Sequence, residues 1–289
     1  MTLAEIKEIL PSPLRLFLGK TRAAGRRARI WWKVCRELSG VSAHDKAVLR
    51  RSIISAPVDI FRGLDRWRDP VVSENCRIRA NGIGIFSVRA HTDDLYHTLP
   101  SREISIIDLI QSRLRANDVF VDAGANIGIY SVLASRLVGE YGRVISFEMM
   151  PETASILRTH LSENQCHNAT VVEGALSEAP GQTVIAYAEG GKHGQSSILR
   201  KVGCVEVSVE TKTLKEELKD IPAIQLMKMD LEGAELAALK GMGRDLQKVQ
   251  SIIFENRDAE DVVEYVTAQG FKVTRLDGNN ALAQKEITD

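Results

Sequence analysis

The stretch VFVDAGANIGIYS, residues 119–131, decides the fold. An apolar run into Asp122 reads as a buried strand, and from Ile127 onward the apolar positions recur at helical spacing. Gly124 and Gly128 fall between the two. A strand that turns through glycines into a helix opens a doubly wound α/β sheet, and glycine there lets the backbone approach a ligand without a Cβ in the way. The next apolar run, VISFE (144–148), ends in Glu148. A carboxylate about 20 residues past such a turn is placed to accept hydrogen bonds from a ribose diol. Together these features point to a nucleoside site.

Outward from this unit the alternation continues. Strands are expected at 118–123, 143–148, 168–174, 224–230, 250–255 and 271–276, with helices at 127–138, 152–164, 234–246 and 258–269 between them. Two further strands, 182–188 and 204–211, flank a glycine-rich loop and read as an insertion, followed by a capping box from Thr213 to Glu216. Asp277-Gly278 turns the chain into a last segment, 280–285, antiparallel to its predecessor. Upstream, CRIRANGIGIFSVRA (76–90) reads as a hairpin on a two-residue Asn81-Gly82 turn, and 103–115 as a helix. The first 70 residues read as helical, with Ser42 as an N-cap and Pro57 splitting the run 42–66. Three units follow: a basic helical region 1–75, a hairpin and helix 76–115, and the main α/β domain 116–289.

Composition bounds the function. The chain has 289 residues, 44% hydrophobic and 26% charged, enough for a sizeable core without low-complexity tracts. Its four cysteines are far apart with no paired spacing, so a zinc cage is not suggested and a reducing, cytoplasmic setting is expected. Glu5, Lys7 and Glu8 interrupt any apolar leader, and no run is long enough to span a membrane. Net charge is zero, yet residues 11–40 hold eight basic residues and one acidic, leaving −7 on the remainder. An acidic main domain disfavours a nucleic-acid substrate. The basic segment, with Phe17, Trp31 and Trp32, suits peripheral contact with an anionic membrane, or packing against the acidic domain or a second subunit.

The nucleoside itself can be narrowed. A pyrophosphate loop requires G-x-G-x-x-G, whereas here the order is Asp122, Gly124, Gly128, with Asn126 where a close approach would be needed. Asp122 suits an ammonium better than a pyrophosphate, which favours S-adenosylmethionine over a nicotinamide cofactor. VDAGANIGIYS, VISFEMMPE (144–152), GALSE (174–178), HGQSSI (193–198), MKMDLEGAE (227–235) and IIFEN (252–256) together resemble the successive motifs of the FkbM family of methyltransferases. The resemblance covers about residues 85–276. It implies a class I methyltransferase fold, a mostly parallel sheet with an antiparallel final strand, binding S-adenosylmethionine at Asp122, Gly124, Asn126, Gly128, Glu148, Ala175 and Ser197. It also implies transfer of the methyl group to an oxygen of a sugar, polyketide or other secondary metabolite; a lipid-linked glycan is the acceptor that membrane contact through residues 11–40 would suit. Met149-Met150 departs from the family's usual polar residue after the acidic one.

Methyl transfer to an alcohol needs an acceptor for its proton. Asp230, at the end of the strand IQLMKMD, is the first candidate; His193, in the glycine-rich loop that reads as a lid, and Glu235, near a helix start where carboxylates also serve as caps, are the others. No metal cluster is evident, although Asp230 with Glu255 and Asn256 forms an oxygen set that Mg²⁺ could use. Arg89, Asp93 and Asp94 are expected beside the site. A nicotinamide-dependent oxidoreductase and a non-catalytic membrane-associated adaptor are the competing functions.

Overall fold

The computed structural model describes residues 12–62, 69–189, 192–199, 205–257 and 259–285; the side chains of 12–18, 189 and 192–195 lie outside the description. Seven strands form the main sheet: β4 (Val119–Ala123), β5 (Arg143–Glu148), β6 (Ala169–Glu173), β11 (Leu226–Met229), β12 (Ser251–Glu255), β13 (Phe271–Arg275) and β14 (Asn280–Lys285). Their spatial order is β13-β14-β12-β11-β4-β5-β6. The chain starts at the centre, winds to one edge and then to the other, so the carboxyl ends of β4 and β11 meet at the switch point where such sheets bind ligands. β14 lies between β12 and β13 and is antiparallel to both. The last strand is thus antiparallel, as expected, and is inserted within the sheet. That arrangement is the class I methyltransferase topology.

The central strands are buried on both faces. Phe120 packs into one apolar cluster with Val132, Val144 and Leu157, while Val121 packs into a second with Ile145, Met227 and Phe254. Continuous apolar runs are what a parallel sheet covered by helices on both sides requires. The covering helices include α5 (Ile129–Val138), α6 (Pro151–Glu163), α8 (Glu235–Met242) and α9 (Glu260–Ala268).

The segment before the sheet contributes α1 (Ser12–Glu37), β1 (Leu38–Gly40), α2 (Ala43–Phe61), β2 (Cys76–Ala80), β3 (Gly84–Val88), the single turn α3 (Asp94–His97) and α4 (Ile104–Arg113). Ser42 caps α2 in a reciprocal capping box with Asp45. Pro57 lies inside α2 without dividing it. The hairpin loop holds three residues, 81–83, since Ala80 pairs with Gly84; buried Ile83 takes the third position. Leu38–Gly40, expected to be helical, pairs with β2 and makes the hairpin a three-stranded sheet.

Two side chains, one on α6 and one at its C-cap, pin that small sheet to the main one. His160 is held between the Ile127 carbonyl (2.8 Å) and the amide of Ser87, which donates to its Nε2 (2.8 Å). Burial lowers its pKa, so the neutral ring does both tasks. Asn164 exchanges two hydrogen bonds with Ile85, imitating a neighbouring strand. Trp31, Ile78 and Phe86 accordingly join the apolar cluster on one face of the main sheet.

The insertion is a separate four-stranded sheet of β7 (Ala175–Leu176), β8 (Thr183–Glu189), β9 (Lys192–Ser197) and β10 (Val205–Lys212), in the order β7-β10-β8-β9. β9 replaces part of the expected loop with an edge strand. Its register against β8 shifts between Tyr187 and Glu189. Thr213 caps the following turn, α7 (Leu214–Glu217), accepting from the amide of Glu216.

Candidate functional site

A cavity of about 590 Å³ opens at the carboxyl ends of β4, β5, β11 and β12. Gly124 and Asn126 form one wall, Glu148 and Met149 another, and Ala175 the edge beneath the inserted sheet. Ser196 and Ile198 overhang it, while Asp93, His97, Arg102 and Glu103 reach in from the segment that precedes the main sheet.

On the β5 wall, buried Glu148 accepts from the amides of Asn126 at 3.0 Å and Met150 at 2.9 Å, one on each carboxylate oxygen. Burial pushes its carboxyl up to about 7, against the pull of those amides and of Lys228. Asn126 holds a left-handed backbone conformation (φ 49°), and its Oδ1 is buried on the cavity wall with no hydrogen-bond partner among the described residues. A carboxylate and an open amide oxygen side by side form an acceptor-rich surface. Such a surface fits the hydroxyl and ammonium donors of an aminoacyl nucleoside.

Several expected cofactor contacts lie elsewhere. Asp122 is fully buried beneath the cavity floor, where it accepts from Ser131 Oγ at 2.6 Å; burial raises its pKa against the pull of neighbouring Lys228. It ties β4 to α5 and does not line the cavity. Gly128 lies behind the wall too: its φ of +89° and a Cβ position 2.3 Å from the Leu157 side chain account for glycine there. Gly124 lines the cavity, but its φ of +80° and a Cβ position 2.0 Å from the Asp230 carbonyl show that the meeting of two strand tips also demands glycine. Ser197 Oγ donates to the Glu232 carbonyl at 3.4 Å and binds the amide of Leu199, leaving Ser196 as the serine on the wall.

A second part of the lining is a charged cluster. Lys228 is buried, with Nζ 3.2 Å from Asp230 Oδ2, 3.4 Å from the Gly124 carbonyl and 5.2 Å from the centre of the Tyr130 ring. Burial would raise the Asp230 carboxyl, but Lys228 and Arg102 outweigh it and hold the group below its ordinary range. Glu103 accepts from the Tyr130 hydroxyl at 2.5 Å and pairs with Arg102. Arg102 Nη1 donates to His97 Nδ1 at 2.9 Å, so Nε2 carries the proton facing Asp93 at 3.2 Å. In that tautomer both ring nitrogens are engaged, one by Arg102 and the other by Asp93. Glu255, at the tip of β12, is raised by burial and by the nearby charge of Asp230.

The remaining sequence candidates separate by position. Glu235 lines the cavity, but its Oε1 accepts from the Leu231 amide at 2.7 Å and closes the turn before α8, a helix that has no side-chain cap of its own. His193 lies in β9, its side chain outside the description. Asp93 lines the cavity, whereas Arg89 and Asp94 form a bidentate pair (2.8 Å and 2.8 Å) beside it. Arg102, Glu103, Tyr130 and Lys228 were not anticipated. One signal was available: a lysine inside the apolar run IQLMKMD has to be paired if that run is a buried strand.

Residues 122–273 match the family model of the methyltransferase FkbM domain. The chain belongs to the FkbM family. It is a methyltransferase dependent on S-adenosylmethionine, which sets aside the nicotinamide and adaptor alternatives. Methyltransferase sdnD of Sordaria araneosa is 25% identical over 201 residues, 57% of this chain and 77% of its own. Hexuronic acid methyltransferase AglP of Haloferax volcanii is 29% identical over 175 residues, covering 57% of this chain and 68% of its own. Among solved structures, methyltransferase FkbM of Methylobacillus flagellatus KT aligns with a TM-score of 0.42 at 17% identity, over 90% of this chain and 59% of that one.

Proposed function

We propose that this FkbM methyltransferase acts on a hydroxyl of a small acceptor of the sugar, glycan or secondary-metabolite class. The observation that carries the reading is the set of carboxylates, Asp230, Glu103 and Glu255, lining the same cavity as the acceptor-rich wall of Glu148 and Asn126. An alcohol must lose a proton as its oxygen forms the new bond, and carboxylates are the proton acceptors at hand. The name of the hexuronic acid relative supports a sugar-like acceptor.

When bound, S-adenosylmethionine supplies a methyl group on a sulfonium that leaves as a neutral thioether. Glu148 and Asn126 would hold its donor groups, with Gly124 and Ala175 shaping the wall. Residues 116–289 form the cofactor-binding unit in this reading, and 76–115 supply the side wall through Asp93, His97 and Arg102. Asp230, kept ionised by Lys228, orients the acceptor hydroxyl and receives its proton; Glu255 at the adjacent strand tip is the second proton acceptor. Ser196 and Ile198 exclude water from above.

The test is an acceptor screen with purified protein and methyl-labelled cofactor, using sugars, uronic acids and polyols, with products analysed by mass spectrometry and base hydrolysis. An alkali-stable methyl ether is expected. A methyl group on nitrogen or carbon, or an alkali-labile methyl ester, would overturn the hydroxyl assignment.

A further inference from the structure

The helical pair α1 and α2 carries the chain's charge asymmetry in a form the cavity does not use. Residues 12–62 hold twelve basic residues and three acidic ones, Glu37, Asp45 and Asp59. Arg27 is buried and structural, its Nη1 donating to the carbonyls of Asp59 (2.9 Å) and Arg62 (2.7 Å), where it terminates α2. Arg22, Arg29 and Arg36 lie seven residues apart on α1 and are exposed. Exposed Trp32 falls within that stripe, with the Arg36 guanidinium 4.5 Å from its ring.

On α2 the buried positions are Asp45, Val48, Leu49, Ser52 and Ala56. Ile54, Val58 and Phe61 therefore point away from the core, at 68%, 59% and 68% exposure. They are spaced as one helix face and flanked by exposed Arg50 and Arg62. Large apolar side chains standing out among arginines, on two packed helices, call for a partner both anionic and apolar.

We propose that the outward faces of α1 and α2 dock on an anionic lipid bilayer, the arginines against phosphate groups and Ile54, Val58, Phe61 and Trp32 in the boundary with the acyl chains. Duplex nucleic acid offers the phosphates without an apolar medium. A second copy of the chain would meet this face either with the same face, setting Arg50 and Arg62 against like charges, or with surfaces whose large exposed apolar residues among those described, such as Ile104, Tyr141 and Leu199, stand singly on different elements. The face differs from the one expected from sequence, because Trp31 is buried in the core and the apolar residues come from α2.

The experiment uses the full chain with vesicles of phosphatidylglycerol and phosphatidylcholine in equal parts, and of phosphatidylcholine alone. Co-sedimentation with the first and not the second, weakened by salt, is expected. Replacing Arg22, Arg29 and Arg36 by Gln should weaken binding about fivefold per residue. Ile54→Asp with Phe61→Asp should weaken it roughly tenfold or more, while both sets keep wild-type affinity for S-adenosylhomocysteine as evidence of an intact fold. Protein that stays in the supernatant with anionic vesicles at low salt overturns the proposal. So does a dimer in sedimentation velocity that Phe61→Asp dissociates, which would assign the face to a second copy.

Discussion

Lys228 and Asp230, two residues apart at the strand tip that forms the cavity floor, make an ion pair at 3.2 Å in which the lysine is buried and the carboxylate faces the cavity. The lysine gains charge partners on three sides, and the carboxylate gains a cation that keeps it ionised. Lys228→Met should therefore raise the Asp230 pKa and move the acid limb of the rate profile to higher pH, while Asp230→Asn lowers turnover by about a hundredfold or more with little change in cofactor affinity. Turnover against pH for both variants is the measurement. An acid limb that stays in place in Lys228→Met, or near-normal turnover in Asp230→Asn, would remove Asp230 from the proton path.

If Glu148 holds the cofactor as proposed, binding should depend on pH. Its carboxyl is raised to about 7 in the free protein, so below that pH it is protonated and no longer offers two acceptor oxygens to a diol. Affinity for S-adenosylhomocysteine should fall as pH drops from about 8 to 6, by up to about tenfold per pH unit below the pKa. Glu148→Ala should bind more weakly at every pH, with the slope abolished. Isothermal titration across that range reads both effects, and a flat wild-type profile would contradict the assignment.

Trp31 and Trp32 should behave as opposites. Trp31 is 5% exposed inside the core and Trp32 is 57% exposed. Trp31→Ala should lower unfolding free energy by about 3–5 kcal/mol, and Trp32→Ala by roughly 0.5 kcal/mol or less. Denaturant titration of the two variants checks this; equal effects would mean that α1 packs differently.

The main sheet was legible because each central strand is an apolar run bounded by turn residues, and the antiparallel end because Asp277-Gly278 allows a tight reversal. The cavity wall was legible at Glu148, the end of β5, and at Asn126, three residues past the end of β4. What escaped was whatever depends on the chain returning from a distance. Arg102 and Glu103 precede the main sheet and carry no periodic signal, yet they fold back against Tyr130 to complete the cavity. Leu38–Gly40 is too short for its alternation to be read and exists as a strand because β2 accepts it. Asp122 and Gly128 were assigned to the ligand from spacing, which cannot tell a residue on a wall from one behind it; Ser131 and Leu157 supply the packing that places them behind. Trp31 and Trp32 are adjacent, and only the docking of α1 on the core distinguishes them.

The central claim, that the cavity walled by Glu148 and Asn126 binds S-adenosylmethionine, is tested most directly by calorimetric titration of the wild-type chain, Glu148→Ala and Asn126→Ala with S-adenosylhomocysteine, with NAD as the comparison ligand. The expected result is one site per chain for S-adenosylhomocysteine, none for NAD, and binding weakened about tenfold or more in each variant while thermal unfolding shows an intact fold. Wild-type affinity retained in both folded variants, or tighter binding of NAD, would contradict it.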